Sequence, residues 1–170
     1  MPVLPPIPPD WDRMARPPGE TLWMAIEQHG LDSDRFRGTL AHTTEPLAPQ
    51  IGLREWVHQT EDLVSRTLRD YLLIDLERLG VAGLPGGRRL AHHTGPDDEA
   101  LVLEQWFVIV EHAHGSVGHT LTATLATDRY DAVADVVAAA AQQWQPAALG
   151  SALGSATGAA MGAAVSTDAG

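Results

Sequence analysis

Alternation and helical periodicity divide this chain into strand and helix segments. Residues 20–28, ETLWMAIEQ, set Leu22, Met24 and Ile26 against Trp23, Ala25 and Glu27, which is the period of a strand. A second strand is expected in RFRGTLAHTT (35–44), with turn residues between the two in HGLDSD (29–34). Over 51–69 the period changes to that of a helix. Leu53, Trp56, Val57, Leu63, Val64 and Leu68 gather on one face, and most charges lie elsewhere. The segment YLLIDLERLGV (71–81) fits either a continuation of that helix or a strand. After it, Pro85-Gly86-Gly87 predicts a turn and then a short strand near 88–94.

The clearest strand is ALVLEQWFVIVEHAH (100–114), followed by a glycine-containing turn and HTLTATLAT (119–127), an expected antiparallel hairpin. In the second arm Leu121, Ala123 and Leu125 form a buried face. Thr120, Thr122 and Thr124 form the other, turned to water or offering hydroxyls to a partner. Thr127 is the expected N-cap of a final helix whose inward face is Tyr130, Val133, Val137, Ala141 and Trp144, ended by Pro146.

Strands grouped between helices predict an α+β fold, a mostly antiparallel sheet of five to six strands flanked by two main helices. The expected organisation is a Pro-rich extended N-terminus (1–18), a single α+β domain (19–146) and a Gly/Ala/Ser low-complexity tail (147–170). That tail places Gly150, Gly154, Gly158 and Gly162 four apart, with no charge between Asp135 and Asp168. It is too weakly apolar for a membrane anchor. Glycine costs a helix about 1 kcal/mol per residue relative to alanine, so disorder is expected. The specific alternative is a glycine-zipper helix formed on packing against another helix.

Composition changes the picture mainly by exclusion. Eleven basic and 22 acidic residues leave a net charge of −11, which repels nucleic acid, and Arg35, Arg37, Arg88 and Arg89 form no sufficient basic patch. The chain has no cysteine, which removes thiolate chemistry and cysteine metal sites. All 11 basic residues are arginine, which removes a P-loop lysine and Schiff-base chemistry. The N-terminal segment lacks a basic stretch followed by an apolar run, so a cytoplasmic location is expected.

The phrases PPGETLWMA (17–25), YLLIDLERLGVAGLPGGRRLAHHTG (71–95), ALVLEQWFVIV (100–110) and TLTATLATDRYDAVADVVAAAA (120–141) resemble the PsbP-like fold group. That group includes DcrB- and LpqN-type bacterial proteins and Eag-type effector chaperones. The resemblance implies a strand at 71–79 and a binding module, and it transfers no catalytic motif. It also implies a protein partner, with a small-residue or apolar helix of a secreted protein as the specific expectation, and it admits a homodimer.

Three local clusters could carry chemistry. His112 and His114 share a strand face and His119 starts the partner arm, so the three could hold zinc and activate water. His92, His93, Asp97, Asp98 and Glu99 form a polar turn that matches no calcium loop. Ser116 lacks the strand–turn–helix setting of a nucleophile elbow. For recognition, Trp106 and Phe107 must point to opposite sheet faces, so one needs cover from a helix or a partner. Trp23 and Trp56 join them as candidate apolar anchors. The leading expectation is a non-enzymatic protein-binding module, a chaperone or adaptor for a secreted effector or other exported protein, with no cofactor. Two other classes stay open: a metal-dependent enzyme on His112, His114 and His119, and a small-ligand carrier.

Overall fold

The computed structural model describes residues 5–15, 17, 21–28 and 35–146. The expectations for the 147–170 segment, and for the turn at 29–34, lie outside the described residues. Seven strands form one antiparallel sheet: β1 (Trp11–Arg13), β2 (Thr21–Glu27), β3 (Thr39–Leu47), β4 (Arg69–Val81), β5 (Leu84–Thr94), β6 (Ala100–His112) and β7 (Gly115–Ala126). Their order across the sheet is β1-β2-β3-β7-β6-β5-β4. Two helices, α1 (Leu53–Thr67) and α2 (Tyr130–Gln143), complete an α+β fold.

The helices lie on opposite faces, and β6 shows why both are needed. Trp106 and Phe107 are consecutive and point oppositely. Trp106 joins Trp23, Leu40, Leu121, Val137 and Trp144 in the larger core, under α2. Phe107 joins Trp56 and Val57 of α1 in the smaller one. A strand with bulky apolar residues on both sides is stable only when both sides are covered. The inward face of α2 consists of Val137, Ala140, Ala141 and Trp144, with Tyr130 and Val133 half-buried beside it.

Three local expectations change. The 71–81 segment is a strand, as the resemblance implied, and extends the sheet to seven strands with the help of β1 from the Pro-rich N-terminus, where Trp11 is buried. Pro85-Gly86-Gly87 is not a turn. The reversal is made by Ala82 and Gly83, both at positive φ (52° and 78°), a two-residue loop whose twist matches that of the flanking strands. Gly86 and Gly87 lie within β5, opposite Leu79 and Arg78. Thr127 does not cap α2: its hydroxyl donates to the Ala100 carbonyl, and residues Thr127–Arg129 form a 3-10 turn ahead of the helix.

Gly86 is required sterically, since a Cβ there would sit 2.6 Å from the Phe107 carbonyl oxygen, whereas at Gly80 in β4 a Cβ meets nothing within 4 Å. Gly86→Ala is therefore expected to lower stability by about 1–3 kcal/mol through overpacking against backbone. Gly80→Ala is expected to leave it nearly unchanged; urea denaturation of the two variants checks the contrast.

Candidate binding face

Consecutive arginines on β5 determine where each helix rests. Arg88 faces α2: its Nε donates to Glu104 at 2.6 Å, and the Tyr130 hydroxyl at the start of α2 donates to the other oxygen of that carboxylate at 3.0 Å. Arg89 faces α1 and is fully buried. It donates to the Gln105 carbonyl (2.7 Å), the Val57 backbone carbonyl (3.0 Å) and the Thr60 hydroxyl (3.0 Å), and its Nε lies 2.8 Å from Glu61. Its guanidinium also stacks 4.9 Å from the Phe107 ring centre, a cation–π contact.

The polar chain extends in both directions from Arg89. On one side the Tyr71 hydroxyl of β4 donates to Glu61 at 2.8 Å. Burial first, and then that carboxylate, raise the phenol well above its ordinary pKa, so it remains a donor. On the other side the Gln105 amide donates to Thr122 of β7 at 3.1 Å. Trp56 anchors the opposite end of α1: its ring packs where a Gly118 side chain would otherwise stand, its edge meets Phe107 at 5.6 Å, and its indole N–H donates to Glu45.

These contacts seat α1 over the β4–β6 side and, among the described residues, leave most of the β3–β7 side of the same face without a helix of its own. A groove of about 320 Å³ results, lined by Thr43 and Thr44 of β3, Thr120 of β7, Phe107 and the α1 residues Leu63 and Val64. Thr43 lies directly opposite Thr120 and Thr39 opposite Thr124, so hydroxyls align across two neighbouring strands. Leu63 stands at the rim and is 66% exposed.

The four aromatic candidates are all internal. Trp106, Phe107, Trp23 and Trp56 are buried, the first and third under α2 and the second and fourth beneath α1. They hold the helices to the sheet, and their surfaces are not presented outward. The polar lining of the groove was half visible as the threonine alternation of β7. Thr43, Thr44, Leu63 and Val64 come to it from other elements.

The histidines are divided. His114 lies in the turn between β6 and β7 and is exposed, while His112 ends β6 half-buried. His119 is fully buried and its Nδ1 is 3.0 Å from Nε2 of His42 on β3. Among the described residues no three His, Asp or Glu side chains gather to hold a metal ion. The 92–99 cluster forms a closed turn: Asp98 pairs with Arg69, and Glu99 accepts the Asp97 backbone N–H at 2.9 Å. Ser116 donates to Glu111 at 2.7 Å.

No protein-family model and no curated protein matches the chain. Solved structures do. LpqN of Mycobacterium tuberculosis, described as involved in cell envelope biogenesis, superposes with a TM-score of 0.65 at 14% identity, over 82% of this chain and 79% of that one. The chain has the PsbP-like fold. A Pseudomonas aeruginosa protein of unknown function, PA94, shares this PsbP-like arrangement with a TM-score of 0.58 at 12% identity, over 72% and 82% of the two chains. Cyanobacterial PsbP from Synechocystis superposes with a TM-score of 0.49 at 15% identity over 81% and 82%. Among the described residues, no helix is long and apolar enough to cross a membrane.

Arg89 is the test of how α1 is held. Arg89→Ala leaves Glu61 and the Val57 carbonyl without their partner, so a loss of about 3–5 kcal/mol is expected. Calorimetry measures it, and hydrogen exchange should place the loosening in α1.

Proposed function

We propose that this chain is a non-enzymatic protein-binding module that receives a partner segment in the groove between α1 and the β3–β7 side of the sheet. The observation that carries this reading is the groove beside α1, which combines threonine hydroxyls with the apolar surface of Leu63 and Val64 and which no helix among the described residues fills. Such a floor suits a segment of small or apolar residues. Short side chains permit close approach, and the hydroxyls supply hydrogen bonds wherever a backbone or small polar group comes down. In this proposal the partner is an exported protein, the chain acts as its chaperone or adaptor, and the encounter takes place in the cytoplasm before export. The fold shared with LpqN, a protein involved in cell envelope biogenesis, supports an export-related role.

Leu63 is exposed, so Leu63→Glu perturbs the groove with little effect on the fold. Wild-type chain cross-linked in its native host is expected to capture one exported protein. Leu63→Glu should weaken that capture about tenfold, equivalent to 1.4 kcal/mol, with an unchanged melting temperature. Equal capture by both chains, or no exported protein above background, defeats the proposal.

A homodimer belongs to the same proposal, and the surface that favours it is the outer edge of β4. Leu72, Leu73 and Ile74 are exposed there, on a strand paired on one side only. Light scattering on the purified chain should report a dimer that Leu72→Asp converts to monomer. A wild-type monomer at micromolar concentration removes this part.

A further inference from the structure

The end of α2 is held by a directed chain of hydrogen bonds among buried rings. Trp144, the C-cap residue, is 1% exposed. Its indole N–H, which can only donate, points at Nδ1 of His42 at 3.4 Å. His42 Nδ1 must therefore be the unprotonated nitrogen, and its proton sits on Nε2. Nε2–H then donates to Nδ1 of His119 at 3.0 Å, which assigns the His119 proton to Nε2 as well. Both imidazoles are neutral and of one tautomer. The Trp144 ring meets His42 edge-on at 4.8 Å and His119 at 6.3 Å, so the two histidines also form the walls of its slot.

A proton added to either Nδ1 replaces an acceptor with a donor facing a donor. On His42 it ends the bond from Trp144; on His119 it ends the bond from His42. Among the described residues no free carboxylate stands beside the pair to offset the new charge. On the same sheet face β6 contributes Val108, opposite His119, and beyond it His112, another base that can only repel. Glu104 lies further along β6, opposite Ala123, and is already held by Arg88 and Tyr130. From β2 comes Trp23, whose ring is covered by Arg13 of β1, a further cation. The charged residues of α2, Asp131 and Asp135, lie in its first half, and 136–146 carry none.

We propose that His42, His119 and Trp144 form an acid-sensitive latch, closed when both histidines are neutral and released by protonation of either, which frees the C-terminal end of α2 from the sheet. The ring environment agrees: burial and the neighbouring His119 push His42 down to about 3, and burial and His112 push His119 down to about 4. The open form, with histidines near their ordinary value of about 6.5, binds protons more readily than the closed form. Latch stability is therefore complete at neutral pH, begins to fall below about 6.5, and continues to fall toward the closed-state values.

Native-state hydrogen exchange on the full chain tests this, corrected for intrinsic rates, at about pH 7 and about pH 4.5. The 136–144 amides should lose protection at least about tenfold on acidification while β5 and β6 keep theirs. Trp144→Phe keeps an aromatic ring but removes the donor, and it should show weakened α2 protection already at pH 7 with a smaller response to acid. Unchanged α2 protection in acid, loss shared equally with the sheet, or a Trp144→Phe response identical to wild type each overturns the latch.

Discussion

The buried guanidinium of Arg89 is the contact on which the arrangement of the α1 face depends. Four polar partners and one aromatic ring surround it, drawn from α1 and β6. A charge removed from water at this depth is tolerable only when it is paired and hydrogen-bonded. That requirement fixes the height and lateral position of α1, because the Val57 carbonyl and the Thr60 hydroxyl must both reach the same nitrogen. The groove is a consequence: a helix tied to β5 reaches β3 and β7 only through Trp56, at Glu45 and Gly118.

A different solution holds the other helix. α2 meets the sheet through alanines and Val137, which allow close approach, and its two ends are pinned by polar contacts. At the start Tyr130 binds Glu104, and at the end Trp144 enters the slot between His42 and His119. The sheet therefore carries one helix fastened at its middle by a permanent charge and one fastened at its ends, at the second of them by neutral bases. The first fastening rests on a guanidinium, which stays charged throughout the ordinary pH range. The second depends on imidazoles remaining unprotonated, so the two helices answer differently to acid.

Much of this architecture is legible in the residues. Alternation in β6 and β7 and the 3.6-residue period of α1 and α2 survive in the fold because they record local burial, which the chain expresses over a few residues. The same reading failed at Pro85-Gly86-Gly87, where glycine marks close backbone approach inside a strand, a meaning that composition alone does not separate from a turn. The candidate site was less legible. Thr120, Thr122 and Thr124 stood out as a stripe, but the groove also needs Thr43, Thr44, Leu63 and Val64, which precede Thr120 by 56 to 77 positions in the chain.

By itself the sequence determined that the chain forms a two-faced sheet with helices, that Trp106 and Phe107 must both be covered, and that thiol and lysine chemistry are excluded. Those conclusions rest on side-chain alternation and on which residue types exist, both local properties. Only the tertiary structure decided that each of the consecutive arginines 88 and 89 holds a different helix. It alone joined His119 to His42, 77 positions away, and set the threonines of β3 and β7 beside α1 in one groove. These outcomes follow from strand order and register, set by cooperative packing of segments far apart in the chain, where no short pattern can specify which partner a residue meets.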